Sequence, residues 1–167
     1  MTAPKREPEA PQPTTVPTDP PRRTEPLYRA LARLVDARNR CLANLESAKQ
    51  RNDKASMLHW AEMSETHAER AEALAKAYLP SGSGIDNGTQ IDLERSRPDR
   101  LVLTTSFHHM NDGGCYDGWT EHDVVVTPSL QHGIDLRITG RDRNDVKGYL
   151  ADVFHDALIT EIDPYGA

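Results

Sequence analysis

From Thr89 to Thr139 apolar side chains recur at every second position within short runs, and from Val146 to Leu158 they recur at every third or fourth. That change of period limits the fold most, because a period of two buries one face of a strand and a period near 3.6 buries one stripe of a helix. Four strands are predicted. They contain Thr89, Ile91 and Leu93; Leu101, Leu103, Thr105 and Phe107; Thr120, His122, Val124 and Val126, ending near Pro128; and Ile134, Leu136 and Ile138, with Asp135, Arg137 and Thr139 on the other face. The final helix carries Val146, Tyr149, Leu150, Val153, Phe154, Ala157 and Leu158 as one stripe, with Asn144 or Asp142 as N-cap, and is expected to pack on the apolar sheet face.

Two more helices precede the strands. Leu27, Leu31, Leu34, Val35, Cys41, Leu42 and Leu45 form one stripe; Trp60, Met63, His67, Ala71, Leu74 and Tyr78 form another that does not continue its phase. The phase breaks across Arg51, Asn52, Asp53 and Lys54, so a helical hairpin is favoured over one rod, with Asp53 or Ser56 capping the second helix. Leu79, Pro80, Ser81 and Gly82 stop it, and the glycine-rich run 80–88 reads as a loop. That run lacks the lysine of a phosphate-binding loop and follows a helix, so phosphate binding is given little weight. The fold class is therefore α+β: an N-terminal helical hairpin, then a four-stranded antiparallel sheet packed by a C-terminal amphipathic helix. The expected organisation is a tail over 1–26, the hairpin over 27–79 and the α+β domain over 80–163.

The tail holds eight of the twelve prolines and only Val16 as a large aliphatic residue, too little apolar surface to offset the entropy of ordering. No apolar run approaches the length of a membrane span and no signal-peptide core is present, so a cytoplasmic chain that does not engage membranes is expected. Cys41 and Cys115 alone do not make a disulfide framework. The net charge of -6 is concentrated at 80–167, where seven basic residues meet fifteen acidic ones. Such a surface disfavours phosphate backbones and suits a basic partner or simple solubility. The first helix is locally basic, and Arg29, Arg33, Arg38 and Arg40 are the candidates for contacting nucleic acid.

The run F-H-H-M-N-D-G-G-C-Y-D-G-W-T-E-H-D at 107–123 gathers metal-ligand residue types around a glycine-rich strand connection. Alternation separates His108 from His109, so one of them at most can meet His122; His109, His122 and Asp86 are the candidate metal ligands, for zinc or another divalent ion, although no cofactor is required by any strong motif. Cys115 with His109 or His122, and Asp123 as orienter, is a weaker nucleophilic alternative. Tyr116, Trp119, Asp117, Glu121 and Asp123 are candidates for binding a partner. A tryptophan at the start of a strand more often closes the edge of a core, so burial of Trp119 is the competing expectation.

The elements L-P-S-G-S-G-I-D-N-G-T at 79–89, F-H-H-M-N at 107–111, Y-D-G-W-T-E-H at 116–122 and G-R-D-R-N-D at 140–145 resemble uncharacterised proteins of bacteriophages, prophages and other mobile elements. The resemblance covers the C-terminal half. It implies a bacterial host cytoplasm and brings no catalytic residues with it. Three functions follow as expectations. The first is an accessory protein that binds a host protein or complex, such as a bacterial defence machine, with the helical hairpin offered to a second copy of the chain. The second is a metal-dependent hydrolase at the histidine-bearing hairpin. The third is a nucleic-acid binder using the basic helix.

Overall fold

The computed structural model describes residues 2–4, 24–110, 113–114 and 116–164; within these, nothing is said of the side chains of residues 86, 87, 109, 110, 116 and 117. The stretch 5–23, most of the expected tail, lies outside the described residues, as does Cys115. In chain order the elements are β1 (Glu25–Pro26), α1 (Leu27–Gln50), α2 (Lys54–Tyr78), β2 (Ile85–Ile91), β3 (Leu101–Met110), β4 (Tyr116–Ser129), β5 (Gly133–Thr139), α3 (Asn144–Ile159) and β6 (Glu161–Ile162). The class is α+β, with a helical hairpin before a four-stranded antiparallel sheet ordered β2-β3-β4-β5 and a C-terminal helix after it.

The helical hairpin turns where the stripe phases break. Asp53 caps α2, its Oδ1 accepting from the Ser56 amide at 3.2 Å and its Oδ2 from the Ser56 hydroxyl at 2.6 Å. These bonds, led by the hydroxyl, hold the Asp53 carboxyl below its ordinary range. At the other end of α1, the Leu27 amide, which the helix itself leaves unpaired, donates to the Thr160 carbonyl at 3.1 Å. β1 pairs with β6 there, Glu25 opposite Ile162 and Pro26 opposite Glu161. Two residues that the sequence reading gives to the tail are thus part of a clasp between α1 and the end of α3.

One apolar core joins the helices to the sheet. Leu27, Leu31 and Val35 of α1, Ala71 and Leu74 of α2, Leu103, Val124 and Ile134 of the sheet, and Leu150, Phe154 and Leu158 of α3 belong to the same buried cluster. Burial of large aliphatic and aromatic side chains at about 1.5–3 kcal/mol each is the main favourable term here. Tyr78 and Tyr149, predicted in the apolar stripes, are instead exposed. Tyr149 lays its ring edge-on to Phe107, with centroids 6.0 Å apart, and its hydroxyl donates to the Ser83 carbonyl.

β2 begins at Ile85, inside the run predicted as a loop. Gly82 and Gly84, both at a positive φ of 96°, shape a tight turn in which Gly82 and Ile85 exchange backbone hydrogen bonds of 3.2 and 3.0 Å, so the loop reading holds up to Gly84 and the strand follows it. A side chain at Gly84 would run into the Phe107 ring, and the pairing with β3 slips between Asp86 and Gln90, where Gly88 takes a positive φ of 71°.

Candidate functional site at the β3–β4 hairpin

Register decides what each side of the hairpin can do. Residues directly opposite one another on paired strands share a face. Leu101 with Val126, Leu103 with Val124, Thr105 with His122 and Phe107 with Thr120 form the inner face; Val102 with Val125, Thr104 with Asp123, Ser106 with Glu121 and His108 with Trp119 form the outer face.

On the inner face His122 is 1% exposed, packed in phase with Val124 and Val126. Its Nε2 lies 2.5 Å from Asp142 Oδ2, and the Thr120 hydroxyl donates to that same oxygen at 2.6 Å. An ionised carboxylate can only accept, so Nε2 carries the hydrogen and donates it. The other edge of the ring is pressed against the backbone: a Cβ on Gly140 would sit 2.6 Å from His122 Cε1 and closer still to Nδ1. Among the described residues, His122 Nδ1 and the hydroxyls of Thr89 and Thr105 are buried without a hydrogen-bond partner. Asp142, expected as an N-cap, turns to His122 and Thr120, and α3 begins after Arg143 with no side-chain cap.

This geometry corrects the expected catalytic pairing. His122 points inward and Asp123 outward, so Asp123 does not orient His122 toward a Cys115 nucleophile. Of the three metal candidates, His122 is committed to Asp142. The backbone register sets Asp86 opposite Ser106 and His109 opposite Gly118, while their side chains lie outside the described residues. Among the described residues no three His, Cys, Asp or Glu side chains gather as a metal-binding group.

The outer face is built differently. Trp119 is 54% exposed, which overturns the expectation that it closes the core edge. It stands across from His108 and two positions from the exposed Glu121. Farther along β4, Asp123 is gripped by Arg95 from the β2–β3 connection: Nη1 donates to Oδ2 at 2.7 Å and Nη2 to Oδ1 at 3.0 Å, while Nε reaches Asp92 Oδ2 at 2.6 Å. Hydrogen bonds from the guanidinium come first in holding both carboxyls below the ordinary range, joined at Asp92 by the Arg95 backbone amide, which donates to Oδ1 at 3.0 Å, and the two carboxylates raise Arg95 in return.

The loop behind Arg95 is fastened by Ser96, whose hydroxyl donates to the Asp92 carbonyl at 2.6 Å and accepts from the Val102 amide at 3.0 Å. It buries Val102 on what is otherwise the solvent side. Sequence reading missed Arg95; the Asp92 spacing of three hints at it, but Asp123 is reached only through the fold. Beside this clamp, the charged Arg95, Asp123, Asp135 and Arg137 and the apolar Val125 and Leu136 line a mixed groove of about 470 Å³. Of the remaining partner candidates, Tyr116 and Asp117 contribute backbone alone to the description, with Tyr116 opposite Met110 after a bulge.

The basic candidates on α1 are largely neutralised within the chain. Arg33 pairs with Glu25, Arg38 with Glu94 and Arg40 with Asp36, and Arg38 also donates to the Leu93 carbonyl at 3.2 Å. Arg29 lies against Tyr28, its Nε donating to the phenol oxygen at 3.0 Å. Cys41 is buried, which pushes its thiol up and makes it a poor nucleophile. No helix among the described residues is long and apolar enough to cross a membrane. Compared with models of protein families, with curated proteins and with solved structures, the chain matches none of them.

Proposed function

We propose that the chain is an accessory protein of a bacteriophage or related mobile element that acts by binding a host protein, in its specific form an inhibitor of a bacterial defence complex. The observation that carries the binding reading is Trp119, a large flat side chain held out from a sheet face at 54% exposure with Glu121 beside it. Tryptophan is enriched among the residues that dominate interface energies, because it buries much surface with few torsions to fix. The acidic balance of 80–167 favours a partner with a basic surface, as on machines that handle nucleic acid, and speeds encounter with it.

The competing readings draw less support from the geometry. His122 is enclosed and already bonded to Asp142, where a general base needs reach to a substrate. Three of the four arginines offered to nucleic acid spend their charge on carboxylates of the same chain.

The test is a comparison of plating on bacteria that carry a defence system, with and without the expressed chain, joined to recovery of bound proteins by the tagged chain. Wild type should raise phage plating and retain a defence component; Trp119→Ala should lose both while folding normally. Equal plating with wild type and empty vector across a panel of defence systems, with no host protein sensitive to Trp119→Ala, would overturn the reading.

A further inference from the structure

The core cluster draws on α1 as far as Val35 and on α2 from Ala68 onward, and none of its members lies between them. Beyond Arg38, which still reaches Leu93 and Glu94, the rest of the hairpin is an arm of about 12 to 14 residues per helix, about 20 Å long at the helical rise. Its own interior is thin: Cys41, Ala48 and Ser64 are the buried residues there, while Leu42, Leu45, Met57, Trp60 and Met63 are half-buried. Two helices of this length with so little buried between them gain stability from further packing.

The outer stripe of α2 says what it packs against. Leu58 is 63% exposed, with the small Ala55 and Ala61 beside it. Lys54 lies four residues before it and Glu62 four residues after; Arg51, in the turn, lies seven before, and Glu65 seven after. The sign of charge therefore reverses at Leu58. A two-fold rotation about an axis through Leu58 exchanges before and after, so it sets Lys54 against Glu62 of the partner subunit, and Glu62 against Lys54 of the partner subunit. Among the described residues Lys54 and Glu62 take part in no ion pair within the chain. A partner of uniform charge would match one half of this stripe and repel the other, whereas a second copy running antiparallel matches both.

We propose that α2 pairs antiparallel with α2 of a second copy across a two-fold axis at Leu58, so that two arms complete a four-helix bundle. The surface is separate from the outer sheet face and does not depend on the function proposed for Trp119. Sedimentation equilibrium of the full chain over micromolar concentrations tests it. Wild type should sediment as a dimer and Leu58→Glu as a monomer. Lys54→Glu and Glu62→Lys should each raise the dissociation constant about tenfold, because each creates two like-charge contacts. All three positions are exposed, so circular dichroism should match wild type. An equimolar mixture of the two single charge variants, and the double variant Lys54→Glu/Glu62→Lys, should both recover dimer. A monomeric wild type, a dimer indifferent to Leu58→Glu, or no recovery on mixing would overturn the proposal.

Discussion

His122 Nε2 and Asp142 Oδ2 lie 2.5 Å apart, tying the middle of β4 to the residue two positions before α3. The contact is enclosed, and Thr120 donates to the same carboxylate oxygen. Asp142→Ala removes the acceptor for two donors at once, and is expected to lower stability by about 1.5–3 kcal/mol, measured by urea unfolding. Amide exchange should rise in the first turn of α3 in the same variant. Asp145→Ala, which removes an exposed first-turn carboxylate that accepts from the Val146 amide and pairs with Arg143, should cost less, about 0.3–1 kcal/mol.

Gly140 gives the imidazole its room. Gly140→Ala puts a methyl group into the His122 ring, and a ring held by Asp142 cannot retreat without breaking that bond. A loss of about 1–3 kcal/mol is expected from the same unfolding experiment. In a His122→Ala background the substitution should cost clearly less, since the ring is gone; equal costs in the two backgrounds would show that the clash is not the cause.

The Arg95 clamp makes a pH prediction whose sign is fixed. Asp92 and Asp123 are both depressed in the folded state, so their contribution is complete above the unfolded carboxylate value of about 3.9 and is lost as pH falls through the lower folded values. Arg95→Met removes the guanidinium's share of that contribution and leaves the backbone amide bond to Asp92 in place. The stability difference between wild type and Arg95→Met should be level from about pH 7 to about pH 5 and shrink below about pH 4. A difference that grows on acidification would contradict the assignment.

Trp119 should behave as a half-solvated ring. In a Trp60→Phe background its emission is expected to be redder than that of a buried indole, short of free tryptophan, and to be quenched readily by acrylamide. Trp119→Ala should lower stability by about 0.5–1.5 kcal/mol, less than a core truncation at about 3–5 kcal/mol, because about half of the ring is in solvent and the rest covers its strand neighbours.

The order of helices and strands is legible because each element keeps its own period over several turns or residues. The orientation of the hairpin is legible too, at single residues. His122 is in phase with Val124 and Val126, which marks it for the core, whereas Trp119 is in phase with Glu121 and Asp123, which marks it for solvent. The expectation of a buried Trp119 came from residue type, and strand phase overrules it. What the period does not carry is the loops. Asp142 and Arg95 sit in stretches without periodicity, and their partners His122 and Asp123 are set by how β5 and the β2–β3 connection return to β4. The helical stripes mislead where the arm leaves the core, since a stripe records which face is apolar and not what covers it.

The pairing of Glu25 with Ile162 has a consequence for the order of assembly. α1 with α2 and β3 with β4 bring together segments that are neighbours along the chain, so little freedom is given up before they gain contacts. β1 and β6 are separated by nearly the whole described chain and contribute two residues each. That pairing is expected to form late in folding and to open first on warming, releasing the Leu27 amide and the start of α1 while the sheet is still intact.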